Sequence, residues 1–154
     1  MKYIAASPRE TMELGRALAH LLRPGDLISL EGELGAGKTH LAKGIGAGLG
    51  IAENAVTSPS FTLINQYDGK YPMYHFDVYR IEPDELEDLG YDEYFYGKGV
   101  CVVEWGDRIR AFLPEEYLQI VIEQTAAGER ELTLIAHGQR YQELISQLKV
   151  VVQA

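Results

Sequence analysis

The chain has one cysteine in 154 residues, Cys101. An internal disulfide is therefore impossible. The thiol sits inside the apolar run "GVCVVEW" (99–105), which points to a buried core thiol in a reducing compartment rather than a nucleophile. No window approaches the roughly 18 consecutive apolar residues of a membrane span. The opening "MKYIAASPRE" lacks the apolar h-region of a signal peptide. These absences lead us to expect a cytoplasmic protein with no membrane partner. Positive charge is scarce: 14 Lys and Arg face 23 Asp and Glu, a formal net charge of −9. A protein that grips nucleic acid through phosphates needs a basic face, and no Lys/Arg cluster occurs. Strong direct binding of RNA or DNA by this chain alone is not expected, although a partner could hold the nucleic acid. Internal repeats, linkers and low-complexity segments are also missing, so residues 1–154 are expected to form one domain.

What is present reads as alternating helices and strands. "ETMELGRALAHLL" (10–22) places Leu14, Leu18, Leu21 and Leu22 on one helical stripe, stopped by Pro24-Gly25. "DLISLE" (26–31) reads as a short buried strand. "KTHLAKGIGAGLG" (38–50) reads as a helix carrying Leu41, Ile45 and Leu49. Gly44, Gly46 and Gly48 weaken that helix by roughly 1 kcal/mol each relative to Ala, and close packing against the sheet is the expected reason for them. "FTLINQYDGKYPMYHFDVYRI" (61–81) alternates with period two around Asp68-Gly69, a hairpin signal. "PDELEDLG" (83–90) has Pro83 placed for a first helical turn and Gly90 for a stop. "GVCVVEW" is a continuous apolar run, as in a central strand covered on both faces. "YLQIVIE" (117–123) and "RELTLIAH" (130–137) are two more strands. "RYQELISQL" (140–148) is a helix with Tyr141, Leu144, Ile145 and Leu148 on one face. The expected fold is a three-layer α/β domain with a mixed sheet.

"GELGAGKT", Gly32 to Thr39, follows one of these strands and opens one of these helices. It matches the Walker A pattern G-x-x-x-x-G-K-T in full. Glycines let backbone N–H groups turn toward a phosphate without Cβ clashes. The N–H groups in question belong to Glu33, Leu34, Gly35, Ala36 and Gly37, backed by the positive end of the following helix. Lys38 should reach the terminal phosphates, and the Thr39 hydroxyl should ligate Mg²⁺. Such a loop needs a second acidic group at the end of a buried strand. Glu104, after "VCVV", is the better candidate. Asp77, ending "YHFD", is the other, and orients or deprotonates the attacking water if Glu104 holds the metal. The pair His75 and Asp77, H-x-D on a strand, reads as surface alternation. His20, His40 and His137 have no ligand spacing. The acid-rich "DELEDLGYDEY" (84–94) reads as a solvated helix face, with a partner surface built from its tyrosines and Phe95 as the second reading.

The loop alone does not name a function. A GTPase should carry N-K-x-D late in the chain, whereas the nearest string, "NQYD" (65–68), lacks the lysine and falls in the hairpin. A small-molecule kinase usually gathers arginines over the transferred phosphoryl group. Arg108 and Arg110 are neighbours, but no Arg-rich segment follows. A small ATPase remains, with a small-molecule kinase or a nucleotide-gated binding module without significant turnover as alternatives.

"GELGAGKT", "VTSPSFTLINQY", "YHFDVYRI", "DLGYDEYF" and "VCVVEWGDRI" together resemble the TsaE family, in order and spacing, from about Glu10 to Leu113. These are the bacterial ATPases of threonylcarbamoyladenosine tRNA modification. The resemblance implies a P-loop α/β fold, ATP and Mg²⁺ as ligands, weak ATPase activity alone, and work with the TsaB–TsaD pair. It places Lys38 and Thr39 on phosphate and Mg²⁺, Glu104 on Mg²⁺, and Asp77 in hydrolysis. Trp105 falls near the nucleotide, with core packing the equal alternative. Thr57, Ser58, Ser60 and Thr62 fall in a nucleotide-sensing switch loop, Ser60 standing where many relatives have threonine. Thr11 falls near the base.

Overall fold

A computed structural model describes residues 1–33, 35–59 and 63–153. The elements run β1 (Lys2–Ala5), α1 (Pro8–Ala19), β2 (Leu27–Glu31), α2 (Lys38–Gly48), β3 (Ile64–Asp68), β4 (Pro72–Asp77), α3 (Pro83–Asp88), α4 (Tyr91–Phe95), β5 (Val100–Glu104), β6 (Tyr117–Gln124), β7 (Arg130–His137) and α5 (Gln139–Gln153). Short 3-10 segments occupy Glu53–Ala55 and Gly106–Phe112. The strands form one seven-stranded sheet in the order β1-β7-β6-β2-β5-β4-β3. β2 is parallel to β5 and β6, and β4 to β5, while β1–β7, β6–β7 and β3–β4 are antiparallel.

Every residue of β2 and β5 is buried. This follows from position: a parallel strand at the middle of a sheet is covered on both faces, so its sequence is apolar throughout. One face carries α1, α2 and α5 through Leu14, Leu18, Leu41, Ile45, Leu144 and Leu148. The opposite face carries α3, α4 and the Gly106–Phe112 segment through Leu86, Phe95 and Ile109, packed on Leu27, Phe76 and Cys101. The fold is thus the expected three-layer α/β arrangement. Cys101 is a core thiol, 1% exposed. Burial pushes its ionisation well above the ordinary thiol range, and its Sγ–H donates to the Tyr94 carbonyl.

The N-terminal end of α1 follows from local chemistry. The Ser7 side chain accepts from the Glu10 N–H at 3.2 Å, the Glu10 carboxylate accepts from the Ala6 N–H, and Pro8 fills the first turn. The Ser7 cap satisfies a donor that a helix N-terminus otherwise leaves open, and the Glu10 carboxylate ties down the residue before the cap. The hairpin is present, with Asp68 opposite Pro72 across the turn. Its second strand stops at Asp77 rather than Ile81, and the start of the expected first strand, residues 61–62, lies outside the described residues.

Three expectations need correction. Close packing of the α2 glycines is mainly against α1, not the sheet. A Cβ on Gly44 would fall 2.8 Å from Met12 Cα, and one on Gly48 would fall 2.7 Å from the Arg16 carbonyl oxygen. Only Gly46 turns toward the sheet, 3.5 Å from Met73 Cε by the same construction. Gly15 of α1 completes the contact, with the Leu41 carbonyl oxygen 2.6 Å from its Cβ position. Second, Phe95 does not belong to a surface. It is 1% exposed and packs edge-on to Phe76 and Tyr91. Third, β1 and α4 were not foreseen. β1 is a four-residue strand whose support is its pairing with β7, Lys2 opposite Thr133.

Candidate active site

The loop between β2 and α2 begins at Gly32, where φ is +152° and a Cβ would meet the Ile122 carbonyl oxygen of β6 at 2.5 Å. Only glycine fits that approach. The loop ends at Gly37, φ +111°, which places α2 so that Lys38 and Thr39 form its first turn. Lys38 is buried, and its Nζ donates to the carbonyls of Gly32 at 2.7 Å and Glu33 at 2.9 Å. The same ammonium lies 4.0 Å from the centre of the Trp105 ring. Burial lowers the Lys38 ionisation below the ordinary lysine range, opposed by the carboxylates of Glu104, Asp77, Asp107 and Glu33. An ammonium has three donors; the carbonyls take two, leaving the third for an anion.

β4 and β5 run parallel with Asp77 opposite Glu104. Both carboxylates therefore stand at the same end of the sheet as the loop, where ligands of open α/β sheets bind. Glu104 is 3% exposed and Asp77 is 8% exposed. The Thr39 hydroxyl lies 3.4 Å from each Glu104 carboxylate oxygen. Asp77 Oδ1 accepts from the Tyr79 N–H at 3.0 Å. Lys38, Thr39, Ser58, Asp77, Glu104 and Trp105 line one cavity of about 290 Å³. A smaller cavity of about 120 Å³ adjoins it, sharing Gly35, Gly37 and His40 and lined further by Thr11 and Arg130. A larger hollow of about 520 Å³ beyond Trp105 is lined by Glu31, Glu33, Asp107 and Glu123 without any Lys or Arg. Its charge is wrong for phosphate, so size does not decide the site.

Donor chemistry fits a magnesium ion between Thr39 and Glu104. Neighbouring ligands on an octahedron of roughly 2.0–2.1 Å bonds stand about 3 Å apart, close to the hydroxyl–carboxylate spacing seen. Trp105 follows Glu104 in the left-handed region, φ +66°, a costly conformation for a bulky residue, on the order of 1–3 kcal/mol. Its N–H donates to the Leu30 carbonyl at 2.8 Å. The ring packs on Tyr79, centroids 4.6 Å apart. Trp105 thus lines the cavity and packs against its neighbours at once, so its two readings are compatible.

Among the sequence candidates, the structure brings Gly35, Ala36, Gly37, Lys38, Thr39, Ser58, Asp77, Glu104 and Trp105 together around the main cavity. Thr11 is buried at the smaller one, its hydroxyl 3.5 Å from the Ser7 carbonyl. Glu33 contributes its carbonyl to Lys38. Thr57 is exposed, its N–H donating to the Tyr67 hydroxyl at 3.2 Å. Leu34, Ser60 and Thr62 lie outside the described residues.

Two residues near the site were misread or missed. His75 is not surface alternation: it is 0% exposed, and its Nε2 lies 2.5 Å from Glu104 Oε2. The signal was the H-x-D spacing itself, which puts His75 and Asp77 on one face of β4. Arg130 reaches from β7 to the loop. Its Nε donates to the Ala36 carbonyl at 2.9 Å and its Nη2 to the Gly35 carbonyl at 3.3 Å. No local pattern could have revealed that contact, which joins distant parts of the chain.

Comparison with known proteins identifies the family and a structural neighbour. The family described as "Threonylcarbamoyl adenosine biosynthesis protein TsaE" matches residues 5–132. A tRNA threonylcarbamoyladenosine biosynthesis protein TsaE from Bacillus subtilis is 51% identical over 149 residues, spanning 96% of this chain and 93% of that protein. Its namesake from Treponema pallidum is 42% identical over 135 residues, covering 87% and 99%. The crystal structure of Bacillus subtilis YdiB superposes with a TM-score of 0.84 at 45% identity, covering 97% of this chain and 93% of that one.

Proposed function

This chain belongs to the TsaE family of threonylcarbamoyladenosine biosynthesis proteins, and on that premise we propose that it binds ATP with Mg²⁺ and hydrolyses it in that tRNA modification. The observation that carries the proposal is the convergence of Lys38, Thr39, Asp77 and Glu104 on one cavity at the loop end of the sheet. The loop N–H groups and the Lys38 ammonium bind the phosphates. Thr39 and Glu104 hold the metal, whose charge, when bound, offsets that of the phosphates. The smaller cavity beside Thr11 and His40 takes the nucleoside. Asp77, buried and fixed through the Tyr79 N–H, orients the attacking water or accepts its proton. Trp105 covers the site against bulk water.

Arg110 does not serve as a phosphoryl clamp: its Nη2 donates to Glu31 Oε1 at 3.0 Å. This disfavours the kinase alternative. Catalysis with so few charge-stabilising groups should be slow in isolation, and completion by TsaB and TsaD is the proposed remedy. With a net charge of −9, the chain leaves the tRNA to those partners. Among the described residues no helix is long and apolar enough to cross a membrane, and we place the protein in the cytoplasm.

The test is phosphate release from Mg·ATP by the purified chain, with and without TsaB and TsaD, with Lys38→Ala as control. Slow turnover that rises with the partners and vanishes in Lys38→Ala is expected. Phosphate appearing on an acceptor instead of in solution would establish the kinase alternative. ATP binding with no release in the presence of both partners would establish the gated module.

A further inference from the structure

His75 is buried on the face of β4 that also carries Met73 and Asp77. Met73 on that face and Val102, directly opposite on β5, are apolar and 0% exposed, while Asn65 lies opposite on β3. An apolar residue would suit that position better than an imidazole, because a buried polar group costs free energy unless it is hydrogen-bonded. The ring has one partner, Glu104 Oε2, at 2.5 Å from Nε2. Among the described residues its Nδ1 meets no donor or acceptor. The Thr39 hydroxyl lies 3.4 Å from Oε1 and equally from Oε2, so the imidazole contact is what distinguishes the two Glu104 oxygens.

We infer that His75 is the positioning residue for Glu104: its Nε2–H donates to Oε2 and holds the carboxylate at the Thr39 hydroxyl, where the cation would sit. The inference rests on the Mg·ATP reading above. Its physical basis is torsional. A glutamate has freely rotating bonds between Cβ and its carboxylate, and one fixed oxygen removes most of that freedom before the cation arrives. Hydrogen-bonding partners of metal ligands commonly contribute 10–100-fold to metal affinity in this way.

Calorimetry of ATP binding with and without Mg²⁺, repeated with Mn²⁺ followed by electron paramagnetic resonance, tests this on three chains: unaltered, His75→Leu and His75→Gln. Glutamine presents an Nε2–H at similar reach. His75→Leu should weaken the metal-dependent part of binding by about 10–100-fold while metal-free ATP binding changes little, and His75→Gln should restore most of the loss. A purely structural role would lower the melting temperature and weaken both kinds of binding together. Equal metal affinity in His75→Leu overturns the inference and leaves the ATP reading standing. No metal-dependent binding in the unaltered chain overturns both. Should the leucine chain not fold, ¹⁵N-histidine spectra of the unaltered protein decide. A hydrogen on Nε2, with a resonance that shifts when Mg²⁺ joins bound ATP, supports the inference; a hydrogen on Nδ1, or indifference to Mg²⁺, overturns it.

Discussion

Adding one methyl group to each of three glycines in α2 should give different outcomes within a single helix. By helix propensity alone, Gly→Ala at Gly44, Gly46 or Gly48 should stabilise by about 1 kcal/mol. Packing reverses that sign at two of them. A Cβ on Gly44 lands 2.8 Å from both the Cα and the carbonyl carbon of Met12, and on Gly48 2.7 Å from the Arg16 carbonyl oxygen. These are backbone atoms of α1, which no rotamer change can move. The two helices must part by several tenths of an ångström or more, and overpacking of that kind costs about 1–3 kcal/mol, occasionally more. The short contacts at Gly44 place it at the upper end, so Gly44→Ala should lose about 2 kcal/mol net of the propensity gain. At Gly46 the one tight atom is a side-chain carbon, Val56 Cγ2 at 3.0 Å, which has to give by only a few tenths of an ångström, and Met73 Cε at 3.5 Å is in ordinary contact. Gly46→Ala should be close to neutral. Urea denaturation of the nucleotide-free chain gives the three values. In melting temperature the Gly44 loss corresponds to about 4–8 °C for a domain of this size. A Gly44→Ala chain as stable as the parent would refute the reasoning, since it would mean that α1 and α2 are not in backbone contact.

Two further predictions concern Arg130, which lines the smaller cavity, and Tyr141, which lies in the core. Arg130→Ala should reduce ATP affinity about 3–10-fold, the equivalent of losing a hydrogen bond of about 1 kcal/mol to the loop carbonyls of Gly35 and Ala36. Arg130→Lys should not restore it, because one ammonium lacks the planar fork that holds two carbonyls; unchanged binding in either variant contradicts this account of the loop. Tyr141 sets part of the alkaline limit of stability. Burial raises its hydroxyl above the ordinary range, so its contribution is complete below the unfolded value of about 10 and declines as pH climbs past it toward the folded value. Tyr141→Phe should flatten that decline, and at neutral pH should cost about 1–3 kcal/mol by leaving the buried Leu27 N–H without the acceptor it now has at 3.0 Å. Chemical denaturation at pH 7 and above pH 10 reads both effects.

The parts of the fold legible beforehand were those whose signals are local. β2 and β5 announce themselves as unbroken apolar runs because both their faces are covered. Pro83 and Gly90 bracket α3 through their own backbone preferences. Gly37-Lys38-Thr39 marks a loop-to-helix junction for the same reason. What escaped notice depends on contacts between distant segments. β1 is too short to carry a pattern and exists through β7. The partner of the α2 glycines is a helix a periodicity count cannot identify. Gly90 reads as a stop, yet its left-handed turn also launches α4. His75 was misjudged because alternation tells which residues share a face, not whether that face meets solvent. The carboxylates of the site were within reach because each closes a strand, Glu104 an apolar run and Asp77 an alternating one, whereas Arg130 enters from the other end of the chain.

The sheet order has a consequence for how the protein comes into being. β2, which presents the loop, is flanked by β5 and β6: Ile28 pairs with both Val102 and Leu118. While the polypeptide is being made from its N-terminus, the glycine loop leaves the ribosome long before either neighbour exists. During that interval β2 is an apolar strand with two open edges, the kind of segment prone to misassociation. Pairing at such sequence separation is also slow, since the intervening chain must first be closed into a loop. The segment synthesised among the first is therefore among the last to gain its final surroundings.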